Sequence, residues 1–149
     1  MCPRNSILLL LCLFLTSGEA QSEDAKEQEK LEGTWSFVST SAGANQKTEK
    51  RPAVRMVFKG DTVAFVTEGS KRTTKGTYTV GLSQNQKTMD IVLDNDGKKL
   101  TTLAIYELDS DTLKLCHHLG GMASKERPKE FMADKQTVLG VLKREKSDE

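Results

Sequence analysis

The stretch Leu31-Glu32-Gly33-Thr34-Trp35 decides the fold, because it places the single tryptophan of the chain at the head of the first strand-like run. Gly33 enters the strand without a side chain. Trp35 carries an indole that buries a large flat surface and needs a partner for its N–H group. We therefore expect Gly33 and Trp35 to be structural residues at one closed end of a curved sheet.

The rest of the chain has the pattern of further strands joined by short turns. Hydrophobic and polar residues alternate, as in antiparallel sheets with one buried face. The predicted strands cover 33–40, 53–59, the region of 63–65, 72–80, 88–93, 99–108, 112–118 and 137–143. Eight strands suffice to close a small barrel. The sequence thus predicts an all-β fold, an eight-stranded antiparallel meander closing into a small barrel, with an open sandwich as the alternative.

The first residues have the layout of an export signal. Arg4 precedes the apolar run 7–15, and Gly18 and Ala20 are small residues positioned for cleavage before Gln21. The apolar run is too short to span a membrane as a helix. We expect an exported protein of the periplasm, cell surface or extracellular space, without a membrane span.

Four segments follow from these patterns. Asp24 and Glu27 have the spacing of a capping box, which predicts a short, exposed helix before the first strand. The predicted segments are a signal peptide at 1–20, a charged helix or linker at 21–30, the barrel at 31–144 and a solvated tail at 145–149.

Charge and cysteine content exclude several classes of protein. The 22 basic and 21 acidic residues give a net charge of +1, which argues against nucleic-acid binding. Cys116 is the single cysteine beyond the signal, so no intramolecular disulfide is expected. Basic residues near the early loops favour an anionic partner or form a solvated rim: Lys47, Lys50, Arg51, Arg55, Lys71 and Arg72.

Cys116, His117 and His118 are the candidate metal ligands. On a strand Cys116 and His118 share one face, whereas His117 joins Leu113 and Leu115 on the other. A structural zinc site needs about four ligands, and no second cluster completes one. We expect a packed cysteine beside surface histidines, with a metal or haem site as the alternative. No catalytic motif can be assembled, so we predict no metal, no cofactor and no enzymatic activity.

Several sequence blocks together resemble a family. They are Leu31–Trp35, Gly76-Thr77-Tyr78, Lys87–Ile91, Ile105–Cys116, Arg127–Phe131 and Val141–Arg144. On these blocks the chain resembles the small, largely uncharacterised lipocalin-like domains that are abundant in planctomycete bacteria. Ser110 departs from the pattern, since that family's turn usually carries glycine. The resemblance implies a lipocalin-like barrel, a bacterial envelope and, for some members, association with signalling proteins. It implies no established activity.

Two functions compete for such a barrel. In the first, a cavity binds a small apolar or amphipathic ligand, and its candidate lining is Val54, Met56, Phe58, Phe65, Tyr78, Met89, Ile91, Leu113 and Leu115. In the second, these side chains fill the interior and the loops contact a protein partner or the envelope.

Three further structural expectations accompany the barrel. We expect a monomer. We expect Arg144 to stack on Trp35, because the last strand of a closed barrel pairs with the first. Phe131 should pack under a barrel end and anchor the long connection before the last strand.

Overall fold

The computed structural model describes residues 19–42, 53–83, 85–118 and 126–146. Within them lie α1 (Glu19–Leu31), β1 (Gly33–Ala42), β2 (Val54–Lys59), β3 (Thr62–Thr67), β4 (Thr73–Leu82), β5 (Lys87–Asn95), β6 (Lys98–Asp109), β7 (Thr112–His118) and β8 (Thr137–Arg144). The predicted all-β fold with a short N-terminal helix is confirmed. Most of the predicted signal peptide, and Lys47, Lys50 and Arg51, lie outside the described residues.

The sheet closes on itself. Each strand pairs antiparallel with its neighbours in the chain, and β1 also pairs with β8, so the strand order around the barrel is the order in sequence. Trp35 lies opposite Arg144 on one side and Met56 on the other. The register shifts once in β1, between Phe37 and Ser39. An open sandwich is therefore excluded.

The barrel has two different ends. At the floor end α1 enters β1, and the β2–β3, β4–β5 and β6–β7 connections lie there. At the rim end β1 finishes, β8 begins, and the β3–β4 and β5–β6 turns lie there. Inward-facing residues alternate with outward ones along every strand. Most of the buried core belongs to the floor half.

Helix α1 is docked against the floor end, which corrects the expectation of an exposed helix. Glu27 is 3% exposed and Leu31 is fully buried. Asp24 and Glu27 lie inside the helix, which begins at Glu19, so they form no capping box. Two residues attach the helix to the barrel: the Glu27 carboxylate pairs with Lys87, and the Leu31 side chain packs in the hydrophobic core.

The segment 126–136 crosses the outer face of β5, β6 and β7, and we call it the strap. The Cys116 thiol lies 3.5 Å from the Glu130 carbonyl and 3.8 Å from the Met132 carbonyl. Ile105 and Cys116 point outward, yet both are fully buried. Burial raises the pKa of the Cys116 thiol. The strap therefore turns part of the outer wall into a second, smaller buried layer.

The first residues beyond β8 stay attached to the barrel. The Glu145 amide donates a hydrogen bond of 2.8 Å to the Thr34 carbonyl. Its side chain accepts a hydrogen bond from the Ser36 hydroxyl and lies 3.6 Å from Arg55 Nε. The predicted solvated tail at 145–149 is thus tethered at its first residue, and residues 147–149 lie outside the described part of the chain.

Candidate ligand-binding lumen

The floor half of the interior is filled by side chains. Seven of the nine predicted lining residues lie in the buried core with at most 4% exposure: Met56, Phe58, Tyr78, Met89, Ile91, Leu113 and Leu115. Phe58 and Tyr78 pack edge to face, with ring centroids 4.8 Å apart. These seven residues therefore form the packed base of the barrel, and they do not surround an open cavity.

The rim half of the interior is less densely covered. Phe65 and Val54, the other two predicted lining residues, point inward by register and are only half-buried. Phe37 and Leu93 also point inward and are half-buried, and neither was among the predicted lining residues. Their partial exposure shows that the described residues cover this part of the interior less densely than the floor half. Their positions two residues from the inward Trp35 and Ile91 were the signal that could have identified them.

Two strand glycines do not enlarge this space. A Cβ atom at Gly140 would lie 2.8 Å from the Phe37 ring, so that ring already occupies the position. A Cβ atom at Gly76 would lie 2.1 Å from the Val92 carbonyl oxygen. Gly76 therefore permits a close approach of β4 and β5 backbone, with no break in the register between the two strands.

Trp35 and Arg144 close the floor end. The Arg144 guanidinium carbon lies 4.2 Å from the centroid of the buried indole, as expected from the pairing of the first and last strands. The indole Nε1 donates to the Leu31 carbonyl at 2.8 Å. Arg144 also donates to the carbonyls of Lys30 and Glu32, at the carboxyl end of α1. One arginine thus joins the helix end, the indole and the last strand.

Gly33 makes room for that arginine. Its φ of +119° lies in the region that favours glycine, and a Cβ atom there would come within 3.1 Å of Arg144 Nη1. The guanidinium also lies 3.2 Å from Asp111 in the β6–β7 turn. Gly33 is therefore needed both for the backbone path and for the passage of Arg144.

A buried carboxylate fixes the helix from its other side. Glu27 contacts Lys30 Nζ at 2.9 Å and Lys87 Nζ at 2.5 Å, and the Tyr106 hydroxyl donates to it at 3.4 Å. Burial alone would raise the pKa of Glu27, but the hydrogen bonds from Lys87 and Lys30 outweigh it, so the pKa lies below its usual value. The carboxylate is therefore held ionised in the folded protein.

Tyr78 brings an unsatisfied polar group into the core. Its side chain is 1% exposed, and its hydroxyl forms no hydrogen bond with any described residue. Burial, together with the charges of Glu32 and Asp61, raises the pKa of Tyr78 to about 12. Such a phenol stays protonated at every physiological pH and gives no proton acceptor for catalysis.

His117 is a histidine that the register places on the inner face of β7, near its rim end. It pairs with Ala104 of β6 and Val138 of β8, and its alternation matches that of the inward Leu113 and Leu115. The side chain is half-buried. The expectation of two surface histidines is therefore wrong for His117, although the assignment of His117 to the face of these leucines agrees with the register.

The tautomer of His117 follows from its neighbour. Its Nδ1 atom lies 2.9 Å from the His118 carbonyl oxygen, which can only accept a hydrogen bond. Nδ1 must therefore carry a proton. Nε2 is therefore the unprotonated nitrogen of the neutral imidazole.

A separate groove lies at the floor end of the barrel. It encloses about 530 Å³ between the β4–β5 connection, the end of β6 and the strap. Phe131 lines it together with Leu108, and Lys87 and Lys129 contribute charge. Phe131 is half-buried there, beside the barrel wall.

Within the described residues, no group of three or more His, Cys, Asp or Glu side chains is placed to hold a metal ion. Cys116 and His117 point to opposite faces of β7, and Cys116 is covered by the strap. Among the same residues, no helix is long and apolar enough to cross a membrane.

Comparison with known proteins returns no matching family model, no similar curated protein and no similar solved structure.

Proposed function

We propose that this protein is an exported carrier that binds a small apolar or amphipathic molecule in the rim half of its barrel, without catalysing a reaction. The observation that carries the proposal is the partial exposure of the inward hydrophobic side chains Phe37, Phe65 and Leu93, beside core residues such as Trp35, Met56 and Leu142 that are fully buried. Ligand sites are commonly concave, mostly apolar and equipped with few polar groups. The closed floor supports entry from the rim end.

The export layout of residues 1–20 supports a role in the bacterial envelope or outside the cell. The lipocalin-like family resemblance supports the same location and the same use of the barrel as a container. All eight strands pair with other strands of the same chain, so the closed barrel has no free sheet edge, which supports a carrier that acts as a monomer.

The neutral fluorescent probe N-phenyl-1-naphthylamine tests the proposal. We expect saturable uptake with about one probe per barrel, since a small eight-stranded barrel has space for one small ligand. Thr74 points inward opposite Phe65, so Thr74→Trp should fill the lumen and abolish uptake. Thr73 is exposed on the outer face of the same strand, so Thr73→Trp should leave uptake unchanged.

Uptake that survives Thr74→Trp would place the probe elsewhere. Absence of uptake by the folded wild-type protein, shown by a cooperative thermal melt, would reject the carrier proposal. The groove at the floor end, lined in part by Phe131, would then favour the second function, a filled scaffold that binds a protein partner.

A further inference from the structure

We propose that the rim end of the barrel docks on anionic lipid bilayers through a patch of exposed basic side chains. This rim patch comprises Lys71, Arg72, Lys75, Lys98 and Lys99. The inference rests on the proposed function, because amphiphiles are concentrated in bilayers, where a carrier would collect or deliver them. It adds the partner surface and the direction in which the barrel faces it.

The register of the sheet assembles the rim patch. Two of its members lie in the β3–β4 turn and two begin β6 directly after the β5–β6 turn, and both turns are at the rim end. On the outer face, Asp94 of β5 pairs with Lys75 of β4 on one side and with Lys99 of β6 on the other. Neighbouring strands are about 4.8 Å apart, so the backbones at Lys75 and Lys99 are about 10 Å apart. This is about one Debye length at an ionic strength of about 0.1 M, so the charges act together on a facing surface.

Within the described part of the chain, no side chain of the rim patch forms an ion pair. The acidic residues beside the patch are Glu68, Asp94 and Asp96. Glu68 lies 3.9 Å from Arg55, which is outside the patch, and Asp94 accepts a hydrogen bond of 2.9 Å from the Gly97 amide. Five exposed basic side chains therefore stand beside three acidic ones, which leaves an excess of positive charge.

At the floor end, by contrast, several basic side chains are already paired. Lys30 and Lys87 both contact the Glu27 carboxylate, and Arg144 lies 3.2 Å from Asp111. The net charge of the whole chain is only +1, so the rim patch is a local asymmetry. A local positive field orients a protein toward a negative surface. The rim, where the proposed ligand enters, is therefore the end that turns toward an anionic bilayer.

Vesicle co-sedimentation measures the docking. One set of vesicles consists of phosphatidylcholine, and the other of equimolar phosphatidylcholine and phosphatidylglycerol. We expect the protein to bind the vesicles that contain phosphatidylglycerol and not the others, and binding should fall as salt is added. The double variant Lys98→Gln with Lys99→Gln should bind about 25-fold more weakly, at about fivefold for each basic residue held near the surface.

Lys26→Gln with Lys59→Gln is the matched control. It removes two exposed lysines at the floor end, one on α1 and one at the end of β2. Both double variants have the same net charge, so a difference between them depends on position alone. The floor variant should bind as tightly as the wild-type protein, and thermal melts verify that both variants are folded.

The outcomes separate the docking surface from the carrier function. If N-phenyl-1-naphthylamine does not bind but vesicle binding depends on the rim patch, the carrier function fails and the docking surface stands. If the probe binds but the protein associates equally with both kinds of vesicle, or if the two double variants bind equally, the carrier function stands and the docking inference fails. Binding to soluble polyglutamate and not to vesicles would indicate an acidic protein partner and would overturn the bilayer as the partner.

Discussion

The floor and rim halves of this barrel use the same strands and the same alternation, yet they are built to different densities. At the floor, Trp35, Met56 and Leu142 are fully buried and the helix α1 is docked from outside. Phe65 and Phe37, which pair in register with Met56 and Leu142, face inward but keep partial exposure, as does Leu93 nearer the rim. The difference shows where packing is densest, and under the carrier proposal the less densely packed part is the one that a ligand would occupy.

The largest expected effect tests the floor. Trp35→Ala removes a fully buried indole, its hydrogen bond to Leu31 and the surface on which Arg144 stacks. We expect a loss of about 3 to 5 kcal/mol in the free energy of unfolding, as for other large aromatic truncations. Urea denaturation measures it.

Phe65→Ala is the matched truncation in the rim half. Because Phe65 is only half-buried, we expect a smaller loss, about 1 to 2 kcal/mol, together with weaker probe uptake. Equal losses at the two positions would contradict a division of the barrel into a packed half and an accessible half.

The second prediction concerns the boundary between the halves. Gly140→Ala places a methyl group 2.8 Å from the Phe37 ring, so the ring must shift. We expect a cost of about 1 to 3 kcal/mol, as in other overpacked interiors. Probe affinity should fall as well, because the displaced ring takes ligand space.

The double variant Gly140→Ala with Phe37→Ala is the control for that mechanism. Removing the ring makes room for the new methyl group, so probe affinity should recover relative to Gly140→Ala alone. A probe affinity that Gly140→Ala leaves unchanged would show that Phe37 does not border the ligand space.

The sequence predicted the fold because the fold depends on local patterns. Alternation located every strand, and the short β5–β6 turn lies where Asp96 and Gly97 adopt positive φ. The contact of Arg144 with Trp35 followed from closure alone. These features need only periodicity and chain order.

The site was harder to predict because burial depends on depth in the barrel. Phe65 and Met89 have the same phase, but only Met89 lies in the filled floor. Cys116 shows the same difficulty, since an outward residue became buried once the strap covered it. Neither depth nor strap position is encoded in the period of a strand.

The third prediction tests the attachment of α1 to the floor. Glu27→Gln removes the charge that Lys87 and Lys30 pair with. Since both lysine side chains are substantially exposed, we expect a loss of only about 1 kcal/mol at pH 7. Glu29→Gln, on the exposed face of the same helix, should have almost no effect.

The difference in the free energy of unfolding between wild type and Glu27→Gln should depend on pH. The pKa of Glu27 is lowered in the folded state, so the unfolded chain binds the proton first as the pH falls. The stabilisation is present above the usual carboxyl pKa of about 4.3 and is lost below it. The difference between wild type and Glu27→Gln should therefore shrink on going from pH 7 to pH 3, and a constant difference would contradict the ionised contact.

The smallest expected effect compares one turn at each end of the barrel. Ser110, in the β6–β7 turn at the floor, has φ of 47°, and Asp96, in the β5–β6 turn at the rim, has φ of 52°. A left-handed conformation costs most residues about 1 kcal/mol, whereas Asp relieves part of that cost by local hydrogen bonding. Ser110→Gly should therefore raise the free energy of unfolding by about 0.5 kcal/mol, net of the larger entropy of glycine in the unfolded chain. Asp96→Gly should gain less, and urea denaturation of both variants beside the wild type measures the two effects. A larger gain at Asp96 would show that the rim turn, not the floor turn, carries the greater backbone strain.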